Sequence, residues 1–226
     1  EHISPNDKVT VSIFSQGTDA WRELWQPNEN MRTLEIAENN PKKGAEPVKS
    51  RVFFKGSEGE RPLDAFDLAV FTACISLQRA GNSVVTADMI ARNLPHTKSG
   101  RITRAFRQEI IDSVDRMRLT RISLDTGTID SLYGYPGRAK ARDYLLPARI
   151  IEAQVNGKND LDAIQFPSSS WKPLLMELAE SRKQILAYPT ESLGILDTAN
   201  RENVGIAHRL LRRIYAMKKH VELTRV

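Results

Sequence analysis

The central part of the chain, Leu63–Pro147, reads LDAFDLAVFTACISLQRAGNSVVTADMIARNLPHTKSGRITRAFRQEIIDSVDRMRLTRISLDTGTIDSLYGYPGRAKARDYLLP. Its first segment, Leu63–Ala80, has apolar residues at helical spacing on two sides, which predicts a helix packed within the core. Gly81-Asn82 ends this helix, and Val84-Val85 is typical of a short strand. A second helix, with a hydroxyl N-cap, is predicted over Thr86–Leu94. These elements in this order begin a helix-turn-helix unit.

The next helix, predicted to begin near Ser99, carries the residues that suit contact with DNA. At 100° per residue its apolar face holds Ile102, Phe106, Ile110, Val114 and Met117. The opposite face and its flanks are basic or polar near the N-terminus, at Arg101, Thr103, Arg104, Arg107 and Gln108. Farther along, the exposed positions become Asp112 and Asp115, which phosphate repels. The first turns therefore suit DNA, as in a recognition helix that enters a groove N-terminus first.

Two strand-like segments follow this helix. Arg121–Thr126 alternates polar and apolar residues, and Asp143–Val155 is extended with a break near Pro147. The intervening Gly127–Arg142 predicts a hairpin or wing, whose cations Arg138, Lys140 and Arg142 suit phosphate or minor-groove contacts. A helix-turn-helix with a basic β-wing predicts an α+β fold of the winged-helix class.

The flanking segments predict two further units around this winged-helix domain, which is assigned to residues 61–188. Residues 1–60 are predicted to form a β-rich extension. Residues 195–226 are predicted to start a second, incomplete winged-helix domain, as in a truncated product. The candidate strands of the extension are Lys8–Ser15, Trp21–Trp25, Thr33–Ala37 and Val48–Phe54.

A last helix is predicted from Thr198 to His220. One face carries the apolar residues Ile206, Leu210, Ile214 and Met217. The other face and its edges carry Arg209, Arg212, Arg213, Lys218 and Lys219. DNA contact and a solvated face are equally open for these cations.

Positive charge is concentrated in two segments. The formal net charge is +5, but residues 96–149 hold 11 Lys and Arg against 6 Asp and Glu, and residues 201–226 hold 7 against 2. The remainder is net acidic. This distribution is typical of a nucleic-acid binder, although solvated faces of an ordinary protein are the alternative.

Several other classes of protein are disfavoured by the sequence. No apolar run approaches the roughly 18 residues of a membrane span, the N-terminus lacks signal-peptide features, and Cys74 is the only cysteine. These features predict a cytoplasmic protein with no membrane partner. The absence of His-x-His, phosphate-loop, Gly-x-Ser-x-Gly and paired-cysteine patterns predicts a non-enzyme without metal or cofactor. Tyr133 and Tyr135 are interpreted as wing residues rather than nucleophiles.

From Pro62 to about His220 the chain resembles the winged-helix replication initiators of plasmids and integrative conjugative elements. The resemblance rests on the order and spacing of several short motifs. These are Leu63-Asp64-Ala65-Phe66-Asp67, Ile75-Ser76, Ala80-Gly81-Asn82, Thr86-x-x-Met89-Ile90-x-Arg92, Asp112-Ser113-Val114-Asp115-Arg116-Met117 and Leu146-Pro147.

The resemblance implies that the protein binds double-stranded repeats at a replication origin and performs no chemistry of its own. It also implies host helicase or initiator proteins as partners, and often a homodimer that represses its own gene. Two alternatives stay open: a transcriptional repressor built on the same module, and a winged-helix adaptor that binds a protein partner.

Overall fold

The computed structural model describes residues 8–12, 31–38, 48–56, 61–95, 102–126, 139–155, 158–168, 170–174, 176–177, 185–189, 192–193 and 201–223. The fold is mixed α+β with small antiparallel sheets. The helices are α1 (Ala65–Arg79), α2 (Ala87–Arg92), α3 (Arg104–Leu119) and α4 (Arg201–Leu223). The strands are β1 (Lys8–Ser12), β2 (Met31–Glu38), β3 (Val48–Lys55), β4 (Val84–Thr86), β5 (Arg121–Thr126), β6 (Ala139–Tyr144), β7 (Arg149–Val155), β8 (Lys158–Gln165) and β9 (Ile185–Pro189).

Helix α1 lies at the centre of the core, as its two apolar sides predict. Every residue from Phe66 to Gln78 is buried, and both Ala69 and Ala73 have no exposed surface. The helix begins with a capping box, in which the Asp64 carboxylate accepts hydrogen bonds from the Phe66 and Asp67 amides. It is followed by Gly81 at φ +100°, a conformation that favours glycine. The predicted helix over Leu63–Ala80 is confirmed to within two residues at each end.

Helices α2 and α3 both start at a threonine N-cap. The Thr86 hydroxyl accepts from the Met89 amide, and the Thr103 hydroxyl accepts from the Phe106 amide at 3.1 Å. Helix α3 therefore begins at Arg104, about one turn later than the start predicted near Ser99. Its predicted apolar face is confirmed, since Ile110, Val114 and Met117 are fully buried.

The strands pair differently from the pattern expected for a single wing. The hairpin β5–β6 pairs with β3 in a four-stranded sheet of order β2-β3-β5-β6. Strand β4 instead pairs with β8 of the hairpin β7–β8, in the order β4-β8-β7. The predicted hairpin after Thr126 is present, but β6 already begins at Ala139, so Lys140 and Arg142 lie in its second strand, paired with β5, rather than in the connecting segment.

The two ends of the chain both contact α1. Strand β1 pairs with β9, and α4 packs on α1 through Val204, Ala207 and Leu211. Gly205 lies against Ala65, where an added Cβ would be 2.8 Å from the Ala65 Cβ. The predicted apolar face of α4 is turned outward, since Ile206, Leu210 and Ile214 are each about half exposed. The division at residues 60 and 195 stays a prediction.

Among the described residues no helix combines the length and apolar character needed to cross a membrane. Cys74 is fully buried in α1, and this burial raises the pKa of its thiol far above the usual range. A thiol that stays protonated is a small core side chain rather than a nucleophile.

Candidate nucleic-acid interface

The N-terminus of α3 forms an exposed polar surface. Thr103 and Arg104 are exposed, and the first turn of the helix contains no acidic residue. The partial positive charge of a helix N-terminus adds to the charge of the Arg104 guanidinium. The Thr103 hydroxyl already accepts the Phe106 amide, but its hydrogen remains available as a donor. This end of α3 can therefore bind an anionic oxygen or a base edge.

Arg107 is engaged within the protein. Its Nε donates to the Asp88 Oδ1 at 2.6 Å and its Nη2 to the Asp88 Oδ2 at 3.2 Å. Asp88 lies in the first turn of α2, so this bidentate pair links α2 to α3. The side chains are 43% and 39% exposed, so solvent screens the pair. DNA contact by Arg107 stays a prediction; in the structure its guanidinium forms the ion pair that joins the two helices.

Gln108 is exposed one turn after Arg104. Its amide Nε2 donates to the Asp112 Oδ1 at 2.9 Å, on the same face of α3. The amide oxygen of Gln108 can still accept a hydrogen bond from a base or a water molecule. Since Asp112 is exposed and acidic, the part of α3 that suits DNA ends near Gln108.

The buried carboxylate of Asp67 links α1 to α3, a contact that the sequence analysis did not predict. Asp67 has no exposed surface and accepts from the Ser113 hydroxyl at 2.6 Å and the Arg116 guanidinium at 2.8 Å, both on α3. Arg61 also contacts this carboxylate at 3.1 Å. The spacing of an N3 acid after Asp64 identifies a capping box, but the contacts to α3 require the tertiary structure.

The other predicted DNA contacts are distributed over several elements. Arg101 and Arg138 lie outside the described residues. Arg142 is exposed on β6 opposite Ser123 of β5, and Lys140 occupies the register position opposite Asp125. On α4 Arg213 is exposed, and only the helical backbone is described for Arg209, Arg212, Lys218 and Lys219.

The described residues contain no cluster of three or more His, Cys, Asp or Glu side chains that could hold a metal ion.

No protein-family model matches the chain, and no curated protein matches it. The solved structures to which the chain is similar include two of domains 2 and 3 of RctB. A selenomethionine derivative shares 17% identity at a TM-score of 0.44, covering 85% of this chain and 66% of that one. RctB 155–483 shares 18% identity at a TM-score of 0.47, covering 78% of this chain and 64% of that one. The chain thus spans slightly less than two thirds of each, and the similarity is distant.

Proposed function

We propose that the protein binds double-stranded DNA through the N-terminus of α3. The observation that carries this proposal is the exposed pair Thr103 and Arg104 at the positive end of a helix whose first turn has no acid. An α-helix fits the major groove, where an arginine can donate two hydrogen bonds to guanine. Gln108, one turn farther along, has an amide suited to adenine. The interface would be sequence-specific on these grounds.

Strand order supports a winged-helix arrangement around this helix. In such domains the short strand between the first two helices pairs with a hairpin that follows the recognition helix. Here β4 lies between α1 and α2, and it pairs with the hairpin β7–β8. The wing of this arrangement is therefore β7–β8, whereas β5–β6 is a separate hairpin inserted between α3 and the wing.

We further propose that this binding initiates replication at the origin of a plasmid or mobile element, without catalysis by the chain. The sequence resemblance to plasmid initiators supports this role; the alternative is a transcriptional repressor built on the same module. The two roles are distinguished by supplying the protein in trans to cells that carry an origin plasmid and a promoter reporter. Maintenance of the plasmid supports the initiator. Loss of the plasmid while the promoter stays repressed supports the repressor. Nicking of supercoiled origin DNA by the purified chain with magnesium or manganese would contradict the non-catalytic role.

Replacing Arg104 with alanine is expected to reduce specific DNA affinity, because a bidentate arginine–guanine contact contributes about 1–3 kcal/mol. The free energy of unfolding should hardly change, since Arg104 is exposed. Titration of a labelled origin repeat measures the effect. Arg118→Ala, at the far end of α3 and paired with Asp115, is the matched control and should leave affinity unchanged. Equal affinities for both variants would refute the interface.

Replacing Asp88 with asparagine is expected to strengthen binding to all duplexes. The substitution removes a negative charge beside α3 and releases Arg107 to contact phosphate, which adds about 0.9 to the log–log salt slope for one new contact. Stability should fall by at most about 1 kcal/mol, since the pair is partly exposed. Fluorescence anisotropy at several salt concentrations tests this. A weaker affinity would mean that the Asp88–Arg107 ion pair is needed to position α3 on DNA.

A further inference from the structure

One face of the sheet β2-β3-β5-β6 carries a group of exposed cations. In antiparallel pairing, residues directly opposite each other lie on the same face of the sheet. The register aligns Lys55 with Arg121 and Arg121 with Tyr144, and in the next row it aligns Ser123 with Arg142. Lys55, Arg121, Arg142 and Tyr144 are all exposed. This group of four residues is called the basic sheet face.

The opposite face of the same strands turns toward the core. Ile122 is 2% exposed, and Ala141 and Asp143 are partly buried. Burial raises the pKa of Asp143, and the nearby Glu177 raises it further, although the Tyr144 amide opposes this by donating to the Asp143 carboxylate. Strand alternation thus separates the cations on one side from the only described carboxylate of β6 on the other.

Charge on the basic sheet face is unbalanced. Its three cations have no ion pair with any side chain that the structure describes. Asp125 and Glu35 occupy the row of the same face beyond Ser123, where each is opposite a cation, Lys140 or Arg51. Strands lie about 5 Å apart and alternate residues about 7 Å apart, so the three cations form a compact group. Charged side chains on a protein surface are normally paired with opposite charges or spread apart. A group of unpaired cations on one face of a sheet is therefore suited to bind a polyanion.

The basic sheet face lies at the other end of α3 from the proposed interface. Arg121 follows the C-cap Thr120, whereas Arg104 is the first residue of the 16-residue helix. At 1.5 Å per residue the two ends are about 24 Å apart. The two surfaces are therefore separate on the protein.

We propose that the basic sheet face is a second nucleic-acid site, which binds the phosphodiester backbone independently of base sequence. It uses Lys55, Arg121 and Arg142, of which Lys55 and Arg121 belong to no predicted DNA-binding element. Tyr144 offers an exposed aromatic ring beside them, on which an unpaired base can stack. The backbone can come from flanking duplex or from a single strand. The proposal rests on the proposed function only in taking DNA as the polyanion.

The test compares two charge-matched triple variants of the full chain. Lys55→Gln/Arg121→Gln/Arg142→Gln neutralises the basic sheet face. Arg79→Gln/Arg92→Gln/Lys172→Gln removes the same charge from exposed cations elsewhere. Affinity for a 30-base-pair duplex of unrelated sequence and for a 30-nucleotide single strand is measured across salt concentrations, and thermal melting verifies that each variant is folded.

The first variant is expected to lower the log–log salt slope by up to about 2.7 on the duplex, or about 2.1 on the single strand, and the control to change neither. Loss on the duplex identifies flanking duplex as the ligand, and loss on the single strand alone identifies unpaired DNA. Equal behaviour of the two triple variants on both probes would overturn the proposal. Titration of Arg104→Ala with the origin repeat tests the α3 interface separately. If that affinity is unchanged while the triple variant still loses salt slope, the α3 interface is refuted and the basic sheet face is kept.

Discussion

Asp67→Asn is expected to lower the free energy of unfolding by about 3–5 kcal/mol, the usual cost of removing one partner from a buried ion pair. Asp67 is fully buried, and its partner Arg116 has a side chain that is only 10% exposed. Asparagine keeps the size and one acceptor oxygen, but it leaves the Arg116 charge without its counter-ion. Because the pair joins α1 to α3, loosening it should also weaken specific DNA binding. Urea denaturation and DNA titration measure the two effects.

Two further variants test whether burial of the ion pair causes the expected loss of stability. Asp115→Asn breaks an Arg–Asp pair of similar geometry on α3, but both of its side chains are 40% exposed, so the cost should be at most about 1 kcal/mol. Combining Asp67→Asn with Arg116→Met removes the stranded charge and should recover part of the loss. A similar stability loss for Asp67→Asn and Asp115→Asn would contradict a special role for the buried carboxylate.

Gly205→Leu is expected to destabilise the fold by at least about 2 kcal/mol, or to detach α4 from α1. A Cβ at this position would lie 2.8 Å from the Ala65 Cβ and 2.9 Å from the Ala65 carbonyl carbon, and backbone atoms cannot move aside cheaply. Overpacking costs about 1–3 kcal/mol even for small additions, and leucine adds four carbons. The gain in helix propensity on replacing glycine, about 1 kcal/mol, is too small to offset this.

Substitutions of different size at position 205 separate the effect of helix propensity on stability from the effect of side-chain packing. Gly205→Ala should lie between the wild type and Gly205→Leu, since it combines the same propensity gain with a smaller clash. Ile206→Ala, on the exposed side of α4, serves as the control and should change stability little. Thermal unfolding with a helix signal reports both outcomes. Wild-type stability of Gly205→Leu would mean that α4 does not pack on Ala65 in solution.

Local sequence signals account for most of the elements around the site. Apolar spacing located α1 and the buried face of α3, because burying apolar surface dominates at those positions. The hydroxyl of Thr86 and the glycine at 81 marked a helix start and a helix end, since both act within a few residues of the chain. The exposure of Arg104 and Gln108 followed from the same periodicity.

The sequence could not identify partners that are distant along the chain. Arg107 and Arg104 have the same residue type on neighbouring positions of one helix surface, yet Arg107 pairs with Asp88, 19 residues earlier. Likewise, α3 starts later than the position near Ser99 that the sequence predicts, because Ile102 and Thr103 are not helical and the Thr103 hydroxyl caps the helix. Such choices depend on which groups meet in space.

Strand alternation determined from sequence which residues of β5 would lie on opposite faces, but only the tertiary structure decided which strands share a sheet. Hydrogen bonds between strands join backbone groups of any residue, so composition does not select the partner of a strand. The register therefore came from packing: β3 joined β5, β4 joined β8, and Lys55 came to lie beside Arg121 although 66 positions separate them in the chain. Local periodicity therefore determined the positions and the buried faces of α1 and α3. The outward apolar face of α4, the strand pairing that assembles the basic sheet face and the Asp67–Arg116 pair that holds α3 depend on long-range contacts.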